Sequence, residues 1–575
     1  MQTIPKASTL TELIALRAAE SGSNIAYRFL PDGEHESHSL TFAELELEIR
    51  ALATRLRRHT EPGDRTLILA PDAGDFVRAF LACQYAGVIA VPVYPPMPFD
   101  ARRGTETIRA IARDCGAWTV LFAGHEAYRD IIREAAPELA ELTWVDAGQV
   151  AGVDTGGFAP APVRPEDVSF LQYTSGSTSL PKGVMVSHRA LMHQEELILR
   201  AGGFTADDVI VSWLPLFHDM GLIGNVLLAL YVGCEAVLMP PLSFVQRPIR
   251  WLRAISRYRA TVSGGPNFAY ELCVRRIPPE DREGLDLRSL KAAFNGAEPV
   301  RAATLEAFTE AYRPHGFDEQ ALYPCYGLAE VTLMATGSPL GTGAVMLDVD
   351  LGALQEGRLV TGGDHRIVGS GTPRLHRRLE IVDPATCERV PPGGVGEIWL
   401  AGPDVADGYW GRPEETEATF GARIAGTGEG PFLRTGDLGA MHEGNLFVSG
   451  RLKDLVIVGG RNHYPQDIEA TAEVAHPLVR RGCVIAFSAE HDGAERLVVV
   501  AEVKPAAGEA DLDDIRRSVR TAVSSCHGVQ VGDVFLVDAG GVPKTSSGKL
   551  RRRTCRAAYE GGDLVAAARQ LEGAL

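Results

Sequence analysis

The sequence lacks the features that mark several large classes of protein. Its 575 residues include nine cysteines, none in a C-x-x-C pair, and their scattered positions fit neither a disulfide framework nor a zinc site. The most apolar internal stretch, Val226 to Met239, carries Glu235 and is too short to span a bilayer. The N-terminus has no long apolar core of the kind found in signal peptides. We therefore expect a cytoplasmic protein with reduced thiols and no stable membrane insertion.

Positive charge is also scarce. Asp and Glu number 74 against 57 Lys and Arg, which gives a net charge of −17. Proteins that bind nucleic acid broadly usually carry a basic excess, so we do not expect nucleic acid as a partner. The acidic composition does not exclude binding of a small phosphorylated ligand, because a few well-placed cations are enough to bind it. Apolar residues make up 45% of the chain, which excludes a mainly disordered protein.

The order of apolar patterns predicts an α/β fold. Between about residues 40 and 300, short apolar runs such as 66–70, 119–123 and 168–173 alternate with helical patterns at 75–85 and 189–199. This alternation is typical of parallel sheets covered by helices. Later segments differ. From Leu379 to Gly450, short strands with glycine turns predict a distorted antiparallel β-barrel, and beyond Lys453 a small α+β unit follows.

The segment Tyr173–Gly183, YTSGSTSLPKG, is the strongest chemical feature. It follows a predicted strand and is rich in small and hydroxyl-bearing residues. Such a loop lets backbone N–H groups and hydroxyls approach phosphate oxygens, and Lys182 supplies a cation. It does not match the G-x-x-x-x-G-K-[ST] pattern of a Walker A loop. Taken alone, the segment also fits a polar surface loop.

Five further segments extend this pattern along the chain. They are NGAEP at 295–299, YGLAE at 326–330, RTGDL at 434–438, GRLKD at 450–454 and PKTSSGK at 543–549. In this order the motifs resemble those of the adenylate-forming superfamily, which includes acyl-CoA synthetases, luciferases and the adenylation domains of peptide synthetases. The resemblance covers nearly the whole chain.

This resemblance implies a set of site residues. Contacts to ATP or AMP are expected from Thr174, Ser175, Gly176, Ser177, Thr178, Lys182, Asn295, Gly296, Ala297, Glu298, Tyr326, Gly327, Leu328, Ala329, Asp437 and Arg451. Glu330 is expected to hold Mg²⁺, since that ion prefers hard carboxylate oxygens, and Thr178 is a further candidate ligand. Lys549 corresponds to the mobile lysine between the substrate carboxylate and the α-phosphate. His218, in WLPLFHDMGLIG, is expected between the acyl pocket and the thiol tunnel, although a purely structural histidine stays open there.

The same resemblance assigns individual roles within the nucleotide site. The loop 175–178 is expected around the β- and γ-phosphates, and 296–298 together with Tyr326 around the adenine. Asp437 is expected to accept hydrogen bonds from the ribose hydroxyls, with Arg451 beside them. Ser179 departs from the family, which usually has glycine there, and its Cβ adds bulk to a loop that needs unusual dihedral angles.

The resemblance also implies a division into two domains. An N-terminal domain over 1–452, with an insertion around 338–372, would carry most of the site. A C-terminal domain over 453–575 would rotate about a hinge at Asp454 after the first half-reaction. One face of it would deliver Lys549, and the other would admit a thiol.

Several segments resemble one branch, the fatty acyl-AMP ligases. These are LQYTSGST, PLFHDMGLIG, YGLAEVTL and GRLKDLVIVGGRNHYPQDIE. Ala329 stands where many relatives have threonine before the magnesium glutamate. The stretch between Glu330 and Pro373 is longer than acyl-CoA synthetases need, which matches the insertion of this branch or, alternatively, a variable surface loop. The implied reaction is ATP- and Mg²⁺-dependent formation of a fatty acyl-adenylate, followed by transfer to the phosphopantetheine thiol of an acyl carrier protein supplied in trans.

Three alternatives stay open at this point. The nearest is an acyl-CoA synthetase that uses free CoA. A second is an adenylation enzyme for amino or aryl acids, and the third is a non-catalytic nucleotide-binding protein, which the presence of Glu330 and Lys549 disfavours. The acyl pocket is predicted from the segments 213–240, 264–272 and 322–336.

Overall fold

The computed structural model describes residues 4–96, 101–148, 150–174, 181–375, 377–458, 461–491, 494–505, 509–544 and 548–564. Within these ranges no helix has both the length and the apolar character needed to cross a membrane. The apolar stretch Val226 to Met239 is core instead: nearly all of it is buried, in a helical segment and the strand that follows.

A nine-stranded sheet forms the centre of the N-terminal part. In spatial order its strands are β17 (Thr372–Pro373), β14 (Met334–Gly337), β13 (Leu322–Gly327), β12 (Ala292–Asn295), β11 (Val262–Gly265), β9 (Val209–Ser212), β10 (Glu235–Leu238), β1 (Ile25–Phe29) and β2 (His38–Thr41). The strands from β13 to β1 pair in parallel, and the edge pairs are antiparallel. The carboxyl ends of β9, β11, β12 and β13 therefore meet at one edge.

A second sheet has six strands. They are β6 (Thr143–Asp146), β5 (Thr119–Phe122), β3 (Arg65–Leu69), β4 (Ile89–Pro92), β7 (Val168–Thr174) and β8 (Lys182–Ser187), in that spatial order. All pairs are parallel except β7 with β8. Most of their residues are buried, because helices cover the faces, and the strands predicted from apolar runs are confirmed to within two residues at either end.

The helices of this part follow the predicted alternation. They are α1 (Leu10–Ser21), α2 (Phe42–Leu56), α3 (Ala73–Ala86), α4 (Ala101–Cys115), α5 (Glu126–Ala135), α6 (Pro137–Ala140), α7 (His188–Gly202), α8 (Asp219–Gly221), α9 (Leu228–Val232), α10 (Pro241–Gln246), α11 (Ile249–Tyr258), α12 (Asn267–Arg276) and α13 (Ala302–Tyr312). A π-helical segment, Leu222–Leu227, joins α8 to α9. The helices predicted at 75–85 and 189–199 are confirmed as α3 and α7.

The antiparallel region predicted from residue 379 onward is a four-stranded sheet. Its strands are β18 (Arg378–Val382), β19 (Gly396–Ala401), β20 (Leu433–His442) and β21 (Asn445–Arg451), and α15 (Pro413–Phe420) lies between β19 and β20 in the chain. The segment predicted as an insertion contains a hairpin of β15 (Met346–Val349) and β16 (His365–Val368). Helix α14 (Leu351–Gln355) lies between these two strands in the chain.

The C-terminal unit has its own sheets and core. Its elements are β22 (Val456–Val458), β23 (Arg461–His463), α16 (Pro465–Val474), β24 (Val479–His491), β25 (Ala494–Val503), α17 (Glu509–His527), β26 (Val531–Val537) and α18 (Arg552–Glu560). Val484, Leu497, Ile515 and Leu536 are fully buried in one apolar cluster between the sheet and the helices. The predicted α/β fold class is confirmed: parallel sheets, an antiparallel region and a small α+β unit.

Candidate active site

The carboxyl ends of the central parallel strands open into one large cleft of about 1760 Å³. Strands β20 and β21 and the C-terminal unit contribute residues to its walls. The cleft brings together predicted site residues from along the chain, namely Thr174, His218, Ala297, Glu298, Tyr326, Gly327, Leu328, Ala329, Glu330, Asp437, Arg451, Asp454 and Lys549. This location agrees with the general rule that α/β sheets bind ligands outside the carboxyl ends of their strands.

The other predicted site residues lie beside the cleft or outside the described residues. Asn295 ends β12 and is fully buried, and neither polar atom of its side-chain amide has a hydrogen-bond partner within the described part of the chain. Gly296 is required by close packing, since a Cβ there would lie 2.9 Å from the carbonyl oxygen and the Sγ of Cys325. The predicted phosphate-loop residues 175–178, and Ser179, fall outside the described residues, so their roles stay predictions.

Asp437 lies at the centre of a hydrogen-bonded group of three side chains. It is buried on β20, and the antiparallel register places Arg451 of β21 directly opposite. The Tyr326 hydroxyl donates to Oδ2 at 2.8 Å, and the Arg451 Nε donates to Oδ1 at 3.0 Å. The Asp437 carboxylate raises the pKa of the Arg451 guanidinium, which stays charged. Each carboxylate oxygen thus accepts one bond and keeps a lone pair for a further donor.

Glu330 is held by a tyrosine distant in sequence. The Tyr409 hydroxyl donates to Glu330 Oε1 at 2.8 Å. Burial raises the pKa of Glu330 above its ordinary value, and the bond from Tyr409 partly offsets that rise. Lys182 lies 4.9 Å from the centre of the Tyr409 ring and forms an ion pair with Glu415. Lys182 is therefore paired with Glu415, and its role as a cation facing the phosphates stays a prediction.

Lys549 enters the cleft from the C-terminal unit. Burial lowers the pKa of its ammonium group below the ordinary value. The carboxylates of Asp219, Glu298 and Asp437 act in the opposite direction and stabilise the charged form. Asp219 and Asp437 are 218 positions apart in sequence, and Glu298 lies between them, so the fold alone gathers these three residues around this lysine.

Glu298, in a loop, and Asp219, the first residue of α8, face this lysine from two different segments. Glu298 Oε1 accepts a hydrogen bond of 2.6 Å from the backbone N–H of Phe268, and burial raises the pKa of its carboxyl. Burial acts to raise the pKa of Asp219 as well, but His218 and Lys549 lower it below its ordinary value. The His218 Nδ1 lies 2.5 Å from Asp219 Oδ1, so this histidine is oriented by its neighbour in the chain.

An ion-paired group anchors the segment that follows Lys549. Arg552, at the start of α18, donates to both carboxylate oxygens of Glu469 at 2.7 and 2.6 Å. A third bond of 3.4 Å reaches Asp454, the predicted hinge residue. Burial of Glu469 at 1% exposure makes this pair costly to break. The lysine loop and the hinge region are thus tied together through one arginine.

The predicted insertion packs against the C-terminal unit. The Gln355 side chain donates to the backbone carbonyl of His527 at 3.2 Å, and the Tyr464 hydroxyl donates to the carbonyl of Leu354 at 3.3 Å. The His365 Nε2 lies 3.7 Å from an Asp467 carboxylate oxygen. Burial raises the pKa of Asp467 to about 6 despite the nearby His365. These contacts disfavour a loose surface loop for this segment.

Sequence reasoning missed one residue that lines the cleft, Asp219, and two that contact predicted site residues, Tyr409 and Glu415. Asp219 lies in the same motif as His218, and its carboxylate stabilises the charged form of Lys549 by raising the pKa of that lysine. Tyr409 and Glu415 belong to a stretch with no pattern of its own, 79 or more residues from Glu330. No signal in a single sequence links such positions.

Comparison with known proteins agrees with this geometry. A family model described as AMP-binding enzyme matches residues 15–410, and a second, described as Disco-interacting protein 2-like, AMP domain, matches residues 453–569. The chain belongs to the AMP-binding enzyme family. The resemblance to adenylate-forming enzymes, stated from the motifs, is confirmed.

Relatives of this AMP-binding enzyme extend over nearly its full length. It is 41% identical to the medium-chain-fatty-acid–[acyl-carrier-protein] ligase JamA of Moorena producens, over 97% of this chain and 96% of the relative. It is 37% identical to the long-chain-fatty-acid–AMP ligase FadD32 of Mycolicibacterium smegmatis, over 98% and 96%. A fatty acyl-adenylate ligase from L. pneumophila, solved with acyl adenylate and pyrophosphate, matches with a TM-score of 0.75 and 37% identity, over 97% and 98%.

Proposed function

We propose that this enzyme activates a fatty acid with ATP to an acyl-adenylate and then passes the acyl group to the phosphopantetheine thiol of an acyl carrier protein. The observation that carries the proposal is the position of Lys549, which is half-buried and lines the same cleft as the carboxylates of Asp219, Glu298 and Asp437. The relatives named as acyl-carrier-protein and AMP ligases of fatty acids support this choice of substrate and acceptor.

The first half-reaction brings two anions together. A carboxylate oxygen of the fatty acid attacks the α-phosphorus of ATP, the bond to the bridging oxygen breaks, and pyrophosphate leaves. The ammonium group of Lys549 reduces the repulsion between these anions and stabilises the charge that develops on the α-phosphate oxygens. Tyr326 and Arg451 hold the Asp437 carboxylate in place, and we assign this carboxylate to the ribose hydroxyls.

The residues present fit a magnesium ion bound jointly with phosphate. Within the described residues no group of three or more His, Cys, Asp or Glu side chains forms a metal cage. Glu330 supplies a single carboxylate, one oxygen of which accepts from Tyr409. Mg²⁺ is commonly held by one or two carboxylates plus substrate phosphates, and it neutralises phosphate charge when bound. We assign Glu330 as its protein ligand. The cytoplasmic location and the domain boundary at 452 and 453 stay predictions.

The test supplies both acceptors at once. Purified enzyme is incubated with fatty acid, ATP and Mg²⁺, with CoA and a phosphopantetheinylated acyl carrier protein present together, and products are measured by mass spectrometry. We expect the enzyme to form acyl-adenylate when no acceptor is present. When CoA and the acyl carrier protein are both present, we expect the acyl group to appear as a thioester of the carrier protein. Accumulation of acyl-CoA would contradict the proposed acceptor. ATP–pyrophosphate exchange over fatty, aryl and amino acids tests the substrate class, and exchange with amino acids alone would contradict it.

A further inference from the structure

The cleft does not end at the charged site but continues along one face of the central sheet. The register pairs Val262 with Ala292 and Phe294 with Tyr323. Since side chains alternate between faces, these four residues share one face of the sheet, and all four line the cleft. Val262 and Ala292 are the first residues of β11 and β12, so the cleft reaches the amino ends of these strands. That is about 10 Å from their carboxyl ends, at about 3.3 Å per residue.

The opposite wall of this extension is also apolar. It is formed by Gly221, Gly224 and Leu228 of the α8–α9 segment and by Ile198 of α7. Gly224 permits close packing here, since a Cβ on it would lie 3.1 Å from Cδ2 of Leu333, which also lines the cleft. This part of the cleft therefore presents hydrocarbon on both sides, and we refer to it as the apolar channel.

Phe204 lies at the far end of the apolar channel. It follows α7, whose C-cap Gly203 has a φ of +60°, and it lines the cleft while being only 7% exposed. Its ring lies directly on Gly202, since a Cβ there would be 2.1 Å from the ring Cζ. The position at the amino end of β9, opposite the charged site, follows from the parallel topology.

A polar pair lies at the amino edge of the sheet, close to Phe204 in the chain. Asp208 is buried, accepts from the Thr205 backbone N–H at 2.8 Å, and forms an ion pair with Lys291 at 3.0 Å. Lys291 directly precedes Ala292, so this pair is at the amino edge of the sheet where the apolar channel ends. The amino edge of the sheet beyond the apolar channel is therefore charged and hydrogen-bonded, which is unfavourable for a hydrocarbon chain.

We infer that Phe204 closes the apolar channel and sets the longest fatty acid that the enzyme adenylates efficiently. The inference rests on the proposed function, because it places the acid's carboxylate near Lys549 and its terminal methyl group near Phe204. Each methylene that fits inside the channel gains binding, on the order of a few-fold. A methylene beyond the ring gains nothing and forces the chain to buckle.

The experiment compares Phe204→Ala with the unaltered enzyme over saturated fatty acids of increasing length. Pyrophosphate release gives kcat/KM for each acid. We expect the acid with the highest kcat/KM to become longer in Phe204→Ala, with at least a tenfold gain for acids just beyond the original optimum. Phe204→Trp should shift the optimum toward shorter acids.

The matched control is Phe317→Ala. Phe317 is 2% exposed and packs in a core cluster, but it is absent from the lining of the cleft. We expect it to leave the length optimum unchanged, and Phe204→Leu gives a second, milder truncation if Phe204→Ala fails to fold. If the preferred fatty-acid length is unchanged in folded Phe204 variants, the inference about Phe204 is wrong but the proposed function is unaffected. Failure of the unaltered enzyme to release pyrophosphate with any fatty acid would overturn the proposed function and the inference with it.

Discussion

The two ends of the cleft are built in different ways. At the charged end, Asp219, Glu298, Asp437 and Lys549 come from four separate regions of the chain, including the C-terminal unit. At the apolar end, the channel is formed by the face of one sheet and the helices that cover it. The charged end therefore depends on how the C-terminal unit is placed, whereas the apolar end is a fixed part of the N-terminal core.

The largest expected effect concerns the charged end. Replacing Lys549 by Ala should lower acyl-adenylate formation by about 100-fold or more, because it removes a cation from the site where phosphate charge develops. Transfer of the acyl group from supplied acyl-adenylate to the carrier thiol should be largely retained. The two half-reactions are measured separately, by pyrophosphate release and by thioester formation.

Lys504→Ala is the control for this substitution. Lys504 is an exposed lysine of the same C-terminal unit and does not line the cleft. It should leave both half-reactions unchanged. Equal loss of both half-reactions in Lys549→Ala would show that Lys549 does not act in adenylation alone. It would also argue against a charged end that depends on how the C-terminal unit is placed.

The sequence predicted the charged end far better than the apolar end. Motif resemblance located Tyr326, Asp437, Arg451 and Lys549, which the structure brings into one cleft, because chemistry at phosphate needs particular residue types. The apolar end has no such requirement. Any apolar residue of suitable size can line it, so Phe204 carries no signal in the sequence.

The predicted pocket segments illustrate the same limit. Residues within 213–240, 264–272 and 322–336 do line the cleft, but Ile198 and Ala292 line it as well and lie outside those segments. Their participation follows from strand register and helix packing, which a single sequence does not specify. The ion pair of Lys182 with Glu415 was equally hidden, since it joins residues from distant segments.

The next effect concerns stability of the core that supports the apolar end. Glu195 of α7 is 1% exposed, and neither carboxylate oxygen has a hydrogen-bond partner among the residues that the structure describes. Burial raises the pKa of Glu195 well above its ordinary value. We expect Glu195→Met to raise the free energy of unfolding at pH 8 by about 1–3 kcal/mol, because it removes an unsatisfied buried polar group.

The stability gained in Glu195→Met should depend on pH, because the Glu195 carboxyl titrates differently in the folded and unfolded states. The folded state holds the proton on Glu195 more tightly than the unfolded state, so wild-type stability is lost as pH rises from the unfolded pKa toward the folded one. The advantage of Glu195→Met should therefore be larger at pH 8 than at pH 5, measured by urea unfolding. Glu196→Gln, next to it and bonded to Arg200 at 2.8 Å, should change stability by less than about 0.5 kcal/mol. An advantage that does not grow with pH would indicate that Glu195 is not a protonated core group.

The smallest expected effect is on the magnesium requirement and concerns Tyr409, which contacts Glu330 at the charged end of the cleft. Tyr409→Phe removes the hydroxyl that donates to Glu330 Oε1 at 2.8 Å, which frees the carboxylate to rotate. A hydrogen bond contributes about 1 kcal/mol, so we expect about a fivefold higher Mg²⁺ concentration for half-maximal adenylation. Tyr258→Phe is the control, since its hydroxyl also donates to a glutamate, Glu36, but away from the cleft. A Mg²⁺ requirement unchanged in Tyr409→Phe would argue that the metal is not held by Glu330 in the orientation that Tyr409 fixes.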